Sequence, residues 1–267
     1  MRQRQLGWIT AAFAVAILGM VSGLSAGTLE AFDYPVGDLD GQGSDGVPVG
    51  YAGAWTQVPD VAEGTHTVLE SSLSYTSQSG LTLATSGGAA EVTKASGLTR
   101  QDAFRDLAGP MTTGTVYLSY LFQTDADSGP RQQYFNLINA GSGVLQIGSG
   151  DSGEFTIGGQ VIAPADTDTH FFLVKLDLDA DVATAWIDTE LNLTSDPADG
   201  TVYNGKVDFD RILFGTLSFG DADAVRVDEI RMGTIQEVTA AVPEPSAAVL
   251  VTLGYIGLLV FGHRKST

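Results

Sequence analysis

The chain has 267 residues, no cysteine and a formal net charge of −19. The lack of cysteine excludes disulfides, thiolate metal sites and thiol catalysis. A chain this acidic is repelled by nucleic acid and by anionic membrane surfaces, so we expect neither as a partner. Its length suits one domain with a sizeable core.

The N-terminal segment has the order of a secretory signal peptide. Arg2 and Arg4 precede an apolar stretch from Trp8 to Val21, and small residues follow as far as Ala26. A basic start, an apolar stretch and a small-residue cleavage region together indicate export. We therefore predict that signal peptidase removes residues 1–26.

Residues 27–240 are predicted to form one all-β domain. Alternating or β-branched runs are separated by clusters of Gly, Asp, Ser and Pro, a pattern typical of a sandwich or jelly roll. The runs are Val116–Phe122, Tyr134–Ile138, Val144–Ile147, Phe155–Ile157, His170–Leu178, Val182–Ile187, Val207–Phe219 and Ala224–Met232. Val58–Gly114 has no recognisable strand pattern, and Leu98–Leu107 within it is predicted as a short helix with Thr99 as its N-cap.

The clearest hairpin joins Phe171–Asp179 to Val182–Asp188. Asp177, Asp179 and Asp181 alternate along it, so their carboxylates could lie on one side. Clustered carboxylate oxygens suit Ca²⁺, so calcium is a candidate cofactor, and the alternative is the solvated face of a turn. A second, looser acidic candidate lies in the Gly-rich N-terminal loop and consists of Asp33, Asp38, Asp40 and Asp45.

Three aromatic residues are candidates for stacking on sugar rings, namely Tyr51, Trp55 and Trp186. Large aromatic rings also belong among the residues that cores bury. For Trp186, whose strand neighbours are apolar, burial is the alternative that the sequence favours.

The C-terminal segment, residues 241–267, combines three elements in a fixed order. Pro243, Glu244 and Pro245 precede an uncharged apolar run over Ala247–Gly262, and a basic end follows. At about 1.5 Å per residue the run covers about 24 Å, a short membrane span, and the basic end would stay cytoplasmic. The order resembles the PEP-CTERM sorting signal, which implies processing by exosortase. An ordinary membrane anchor is the alternative.

Two stretches of the domain resemble secreted bacterial proteins with a concanavalin A-like, laminin-G-like sandwich. They are the start, Leu29–Gly37 with the later Ala54 and Trp55, and the end, Val225–Gly233. The resemblance implies a jelly roll in which the first and last strands pair, and calcium at a loop rim. It does not decide the function, because lectins, glycanases and adhesive modules share this sandwich.

No catalytic constellation is recognisable. Glycanases of this fold place carboxylates at alternate positions of one strand, because alternation puts them on one face of the sheet. No such string of glutamates and aspartates occurs. We therefore predict no catalytic residue and no enzyme. One arrangement is left open, a carboxylate pair across two late strands, formed among Asp208, Asp210, Asp228 and Glu229.

Together these features predict an exported protein of a Gram-negative bacterium, located at the cell surface or in the extracellular matrix after transient anchoring in the inner membrane. The predicted role is structural or adhesive and associated with exopolysaccharide. A lectin-like, carbohydrate-binding module is the alternative, and a glycan-active enzyme is the third hypothesis. The expected partners are exosortase, signal peptidase and extracellular polysaccharide.

Overall fold

The computed structural model describes residues 28–44, 50–58, 64–94, 98–125, 131–139, 143–150, 152–219 and 223–241. Residues 1–27 and 242–267 lie outside the described residues, and so do the predicted signal peptide and the sorting motif Pro243, Glu244 and Pro245; Asp45 also lies outside them. The described chain forms two antiparallel sheets packed face to face and one short helix. No helix among the described residues is long and apolar enough to cross a membrane.

Sixteen strands and one helix make up the described part of the chain. In order they are β1 (Thr28–Glu30), β2 (Gly37–Asp38), β3 (Tyr51–Val58), β4 (Gly64–Val68), β5 (Ala90–Lys94), β6 (Leu98–Met111), β7 (Thr115–Thr124), β8 (Arg131–Asn139), β9 (Gly143–Ser149), β10 (Glu154–Ile157), β11 (Gln160–Pro164), β12 (Thr169–Asp177), β13 (Val182–Ile187), β14 (Thr201–Asn204), β15 (Phe209–Phe219), β16 (Asp223–Gly233) and α1 (Ile235–Val238).

The strands divide into a nine-stranded and a seven-stranded sheet. The nine-stranded sheet has the order β14-β13-β12-β7-β16-β5-β4-β2, with β1 paired to β16, and the seven-stranded sheet has the order β11-β10-β9-β8-β15-β6-β3. The first and last strands therefore pair, with Thr28 opposite Met232. The predicted hairpin is confirmed as β12 and β13, with Asp177 opposite Val182.

The main core lies between the two sheets, where the inward-facing side chains of both sheets meet. Tyr120 of β7 stacks on Phe135 of β8 and on Phe172 of β12, with ring centroids 4.3 and 5.2 Å apart. Strand β12 buries both of its faces, since Phe172 and Val174 point into this core while Phe171 and Leu173 point away from it and are also buried. Its sequence is therefore an apolar run rather than an alternation.

A second apolar cluster covers the outer face of the nine-stranded sheet. It packs Phe171 and Leu173 of the sheet against Tyr75, Leu83 and Val238. Residues 69–89 form much of this cover without regular strands. The sequence showed no strand pattern over Val58–Gly114 because the irregular residues 69–89 lie within this range.

Two carboxylates of β16 hold residues 69–89 in place. Asp228 accepts hydrogen bonds from Ser72 Oγ and from the Leu73 amide, the latter at 2.8 Å. Glu229 accepts from the Ser86 amide at 2.6 Å. Side chains of β16, rather than a neighbouring strand, therefore bind residues 69–89. Their hydrogen bonds satisfy backbone amides that would otherwise pair within a sheet.

The predicted helix over Leu98–Leu107 is wrong, since these residues lie in strand β6. The strand pairs with β15 on one side and β3 on the other. Its inward-facing residues are Gln101, Ala103, Arg105 and Leu107. Because two of these four are polar, the sequence does not show the apolar–polar alternation of a strand. Sheet pairing on both edges overrides the local helix signal.

Candidate functional site

The outer face of the seven-stranded sheet carries a continuous array of polar and aromatic side chains, here called the polar face. Its members point away from the core because their chain neighbours, such as Ala103, Phe135 and Phe214, belong to the core. The array comprises Arg100, Asp102, Phe104 and Asp106 of β6, Arg211 and Leu213 of β15, and Gln132, Tyr134 and Asn136 of β8.

Tyr134 and Asp102 form the central contact of the polar face. The Tyr134 hydroxyl donates to Asp102 Oδ1 at 2.7 Å, and Arg100 Nε donates to Asp102 Oδ2 at 2.5 Å. The Arg100 guanidinium also lies 5.6 Å from the centroid of the Tyr134 ring. Arginine and tyrosine therefore both orient the Asp102 carboxylate and shield it from water.

Gly215 makes this contact geometrically feasible. It stands on β15 directly between Asp102 and Tyr134, which are thus two strands, or about 9.6 Å, apart. The Tyr134 ring has to lie along the sheet, across Gly215, to span that distance. A Cβ atom at Gly215 would come within 2.3 Å of Asp102 Oδ1. Only glycine leaves room for the carboxylate.

Burial controls the ionisation of this group. Desolvation raises the pKa of Asp102, although the hydrogen bond from Tyr134 and the Arg100 charge oppose that rise. Desolvation and the neighbouring Asp102 charge raise the pKa of Tyr134 well above its ordinary value. The phenol is therefore a neutral hydrogen-bond donor at physiological pH.

A second pair of side chains lies beside the first. The Arg211 guanidinium covers the Phe104 ring, with Cζ 4.0 Å from the ring centroid, and Arg211 Nε donates to Asp106 at 2.5 Å. Both charged side chains are partly exposed. The polar face therefore offers aromatic carbon and fixed charged groups side by side, and a stacked arginine keeps its planar donors ordered.

Asn136 has an unused hydrogen-bond acceptor. The residue is 4% exposed, and its Oδ1 atom has no hydrogen-bond partner among the described residues. It lies between Leu213 and Gln146 on the neighbouring strands. Leaving a buried acceptor unmatched costs about 1–3 kcal/mol. A ligand hydroxyl or amide that donated to Oδ1 would recover this cost.

Of the three aromatic residues predicted to stack on sugars, two lie in the core and one lines surface grooves. Trp55 is 1% exposed and donates from Nε1 to Glu30 at 3.2 Å, while the Tyr51 ring packs 4.7 Å from the Arg105 guanidinium. Both rings belong to the core and do not face solvent. Trp186 is 6% exposed and lines two adjoining grooves, of about 320 and 540 Å³, on the nine-stranded sheet.

The hairpin aspartates do not converge on a common point. Asp177 accepts a hydrogen bond from the Ala180 amide at 3.1 Å, and Asp181 lies 3.3 Å from the Lys206 ammonium. Asp179 is exposed. Across the part of the chain that the structure describes, no three or more His, Asp or Glu side chains form a group that could hold a metal.

The carboxylate pair left open by the sequence has a structural role. Asp228 and Glu229 are buried under residues 69–89 and are occupied by hydrogen bonds to that stretch. Asp208 pairs with Lys206 at 3.2 Å, away from them. Sequence reasoning missed the polar face, although the outward positions of β8, Gln132, Tyr134 and Asn136, are an alternation that a period-two reading finds.

Three solved structures are similar to the chain at low sequence identity. The chain resembles the cellulose induced protein Cip1, with 16% identity and a TM-score of 0.44 over 67% of this chain and 90% of that one. It resembles a glycosyl hydrolase family protein from Mycobacterium fortuitum, with 13% identity and a TM-score of 0.43 over 79% and 100% of the two chains. It also resembles a GH131 beta-glucanase catalytic domain from Podospora anserina, with 15% identity and a TM-score of 0.40 over 67% and 89%.

No protein-family model and no curated protein sequence matches the chain. The prediction that the protein is not an enzyme is corrected by the structural likenesses, because they include a glycosyl hydrolase family protein and a beta-glucanase catalytic domain. Glycan turnover is therefore a property to be measured for this protein.

Proposed function

We propose that this protein is an exported polysaccharide-binding sandwich whose ligand lies along the polar face. The proposal includes a concanavalin A-like, laminin-G-like jelly roll, and a structural or adhesive role in an extracellular polysaccharide matrix. Signal peptidase would remove residues 1–26, and exosortase would process the segment that contains Pro243, Glu244 and Pro245. The protein would then work at the cell surface or in the matrix of a Gram-negative bacterium.

The array on β6, β8 and β15 supports this ligand class. Sugars present ring faces of C–H groups and rims of hydroxyls that both donate and accept. The Phe104 ring and the Arg211 guanidinium offer a flat surface, and Asp106 offers an acceptor. The unused acceptor of Asn136 is the single observation that carries the proposal most directly. A sugar hydroxyl could donate the hydrogen bond that Asn136 Oδ1 does not receive within the described residues.

A binding screen with matched variants tests the proposal. The mature protein is titrated with β-glucans, agar, alginate and polymer from the native host. Asn136→Ala is expected to weaken binding about tenfold, because a lost hydrogen bond in a shielded site is worth about 1.4 kcal/mol or more. The control Asn204→Ala alters an exposed asparagine of β14, on the other sheet, and should bind normally.

Reducing ends are measured in the same samples. Binding without turnover supports a lectin-like or adhesive module, whereas new reducing ends identify a glycan-active enzyme. Equal affinity of the wild type and Asn136→Ala would remove the polar face as the binding site. The sorting proposal has its own test, since intact-mass measurement of the mature protein should show loss of both terminal segments.

A further inference from the structure

Three segments outside the sixteen strands lie together on the outer face of the nine-stranded sheet. They are residues 69–89, here called the strap, residues 188–193, here called the loop, and residues 234–241, here called the clasp, which contains α1. All three contribute to the second apolar cluster, with Leu83 from the strap and Val238 from the clasp among its members. The side chains of the sheet that they bury are Leu121, Phe171, Leu173 and Trp186.

The strap and the loop are joined by polar contacts. The Tyr75 hydroxyl donates to the Thr189 carbonyl oxygen at 2.8 Å, and the Ser79 amide donates to Glu190 Oε1 at 3.1 Å. These contacts hold the middle of the strap, whereas Asp228 and Glu229 hold it nearer its ends.

The loop and the clasp are joined by backbone amides. The Asn192 amide donates to the Thr239 carbonyl oxygen at 2.7 Å, and the Leu193 amide donates to Thr239 Oγ1 at 3.0 Å. In the other direction, the Ala241 amide donates to Asn192 Oδ1 at 2.9 Å. Thr239 is fully buried, so these bonds form out of water.

The clasp and the strap also contact each other directly. Ala241 forms an isolated antiparallel bridge with Leu83. The Arg231 guanidinium donates to the Ala240 carbonyl oxygen at 3.1 Å and to the Ala84 carbonyl oxygen, so one side chain of β16 binds both segments. Each of the three segments is therefore held by the other two.

The clasp is the segment that the sheet fixes most directly. Ser119 Oγ of β7 donates to the Val238 carbonyl oxygen at 2.7 Å, and the Val238 side chain is fully buried. Thr234 and Glu237 form a capping box that fixes the start of α1. The clasp thus offers a fixed edge to which the strap and the loop attach.

We infer that the clasp holds the strap and the loop closed, so that the three segments open and close as one unit. Contacts that support one another in this way make a cooperative unit that opens locally while the rest of the fold stays intact. Opening of the clasp would release the middle of the strap and expose Phe171 and Leu173. This coupling does not depend on the proposed function.

The coupling has two consequences for the surface of the protein. The groove of about 540 Å³ beside Trp186 is lined by Gln78 of the strap and by Glu190 and Leu193 of the loop, so the clasp controls the shape of this groove. If the C-terminal segment is processed as proposed, the cut has to fall beyond Ala241 for the three segments to remain closed.

Hydrogen exchange of the mature protein, measured by mass spectrometry, tests the inference. Val238→Ala removes buried methyl groups from the clasp, so exchange in peptides of the strap and the loop should become at least about tenfold faster. Peptides of β8 and β15, in the other sheet, should exchange as in the wild type. The control is Val202→Ala, which alters a valine of β14 that is 46% exposed and should leave all three segments unchanged.

A substitution in the strap tests the reverse direction. Because coupling between two sites is reciprocal, Leu83→Ala should speed exchange in the clasp as well as in the strap. Faster exchange that stays within the substituted segment, in either Val238→Ala or Leu83→Ala, would overturn the inference. An equal increase in β8 and β15 would overturn it too, because the three segments would then open only with the whole domain.

A milder variant keeps the test decisive if Val238→Ala fails to fold. Asn192 has a φ of 56°, which glycine adopts freely, so Asn192→Gly removes the hydrogen bond to the Ala241 amide without straining the backbone. Exchange in the clasp and the strap should become about threefold faster. Asp199→Gly is the matched control, since Asp199 is exposed and has a φ of 57°. Equal exchange in Asn192→Gly and Asp199→Gly would contradict the role assigned to the clasp.

Discussion

The guanidinium of Arg105 and the carboxylate of Glu30 form an ion pair that is buried on both sides. Arg105 also donates to the carbonyl oxygens of Gly53 and Gly43, at 3.1 and 2.8 Å. Glu30 accepts further hydrogen bonds from Trp55 and Tyr34. Every strong polar group of this pair is therefore matched, which is the condition under which a buried charge is tolerated.

Removal of one partner should leave the other charge buried and unpaired. Arg105→Met is expected to lower the free energy of unfolding by about 3–5 kcal/mol, as measured by urea denaturation. The control Arg226→Met breaks a partly exposed pair with Glu91 and should cost no more than about 1 kcal/mol. Similar losses in the two variants would contradict the structural role assigned to Glu30.

The hydroxyl of Tyr120 is buried in the main core, and no residue in the described part of the chain forms a hydrogen bond with it. Tyr120→Phe removes that unmatched group and keeps the ring stacking, so the free energy of unfolding should stay the same or rise by about 1 kcal/mol. Tyr75→Phe is the matched comparison, because the Tyr75 hydroxyl donates to the Thr189 carbonyl at 2.8 Å. That variant should lose about 1 kcal/mol. A larger loss for Tyr120→Phe would point to an overlooked partner of its hydroxyl.

Gly215 is expected to be the residue on which the polar face depends most for its geometry. A Cβ atom in Gly215→Ala would collide with the Gln101 carbonyl oxygen and the Asp102 carboxylate of β6, so we expect a destabilisation of about 1–3 kcal/mol and weaker glycan binding. Gly109→Ala is the control, because a Cβ atom there meets nothing within 4 Å. Denaturation and the glycan titration measure the two effects. Normal stability and binding in Gly215→Ala would show that the contact tolerates displacement.

His170 predicts a pH dependence of stability. Burial opposes its charged form, but hydrogen bonds to Asp188 and Asp166, at 2.7 and 2.8 Å, outweigh burial and raise its pKa. A raised pKa means that the folded state holds the proton more tightly than the unfolded state. This stabilisation is complete below the unfolded pKa and is lost as the pH rises through the folded value.

The variant His170→Gln isolates that contribution. Its loss of unfolding free energy relative to the wild type should be about 1 kcal/mol larger at pH 6 than at pH 9, since both aspartates are partly exposed and screened. Urea denaturation at the two pH values measures the difference. An equal loss at both values would show that folding does not raise the pKa of His170.

The sequence predicted those elements whose signals are local. The hairpin of β12 and β13 is flanked by its own turn residues, and its two strands are neighbours in the chain. The pairing of β1 with β16 was expected only through a family resemblance, because no local pattern links residues two hundred positions apart. The all-β architecture followed from turn spacing, and the structure agrees with it.

The remaining features depend on partners far away in the sequence. Strand β6 looked helical because Arg105 occupies an inward position, and its partner Glu30 lies 75 residues earlier. Residues 69–89 had no pattern because Asp228, 155 positions from Leu73, holds them. The polar face was not predicted either, because β6 supplies four of its residues and looked helical in the sequence.

The ends of the described chain lie on one side of the sandwich. Thr28 pairs with Met232 in the nine-stranded sheet, and Ala241 bridges to Leu83 in the layer outside that sheet. The polar face belongs to the opposite side. If the C-terminal segment anchors the chain transiently, as the sequence predicts, the attachment would lie on the nine-stranded side and the polar face would be turned toward the surroundings. Tethering and ligand capture would then proceed at the same time without steric competition.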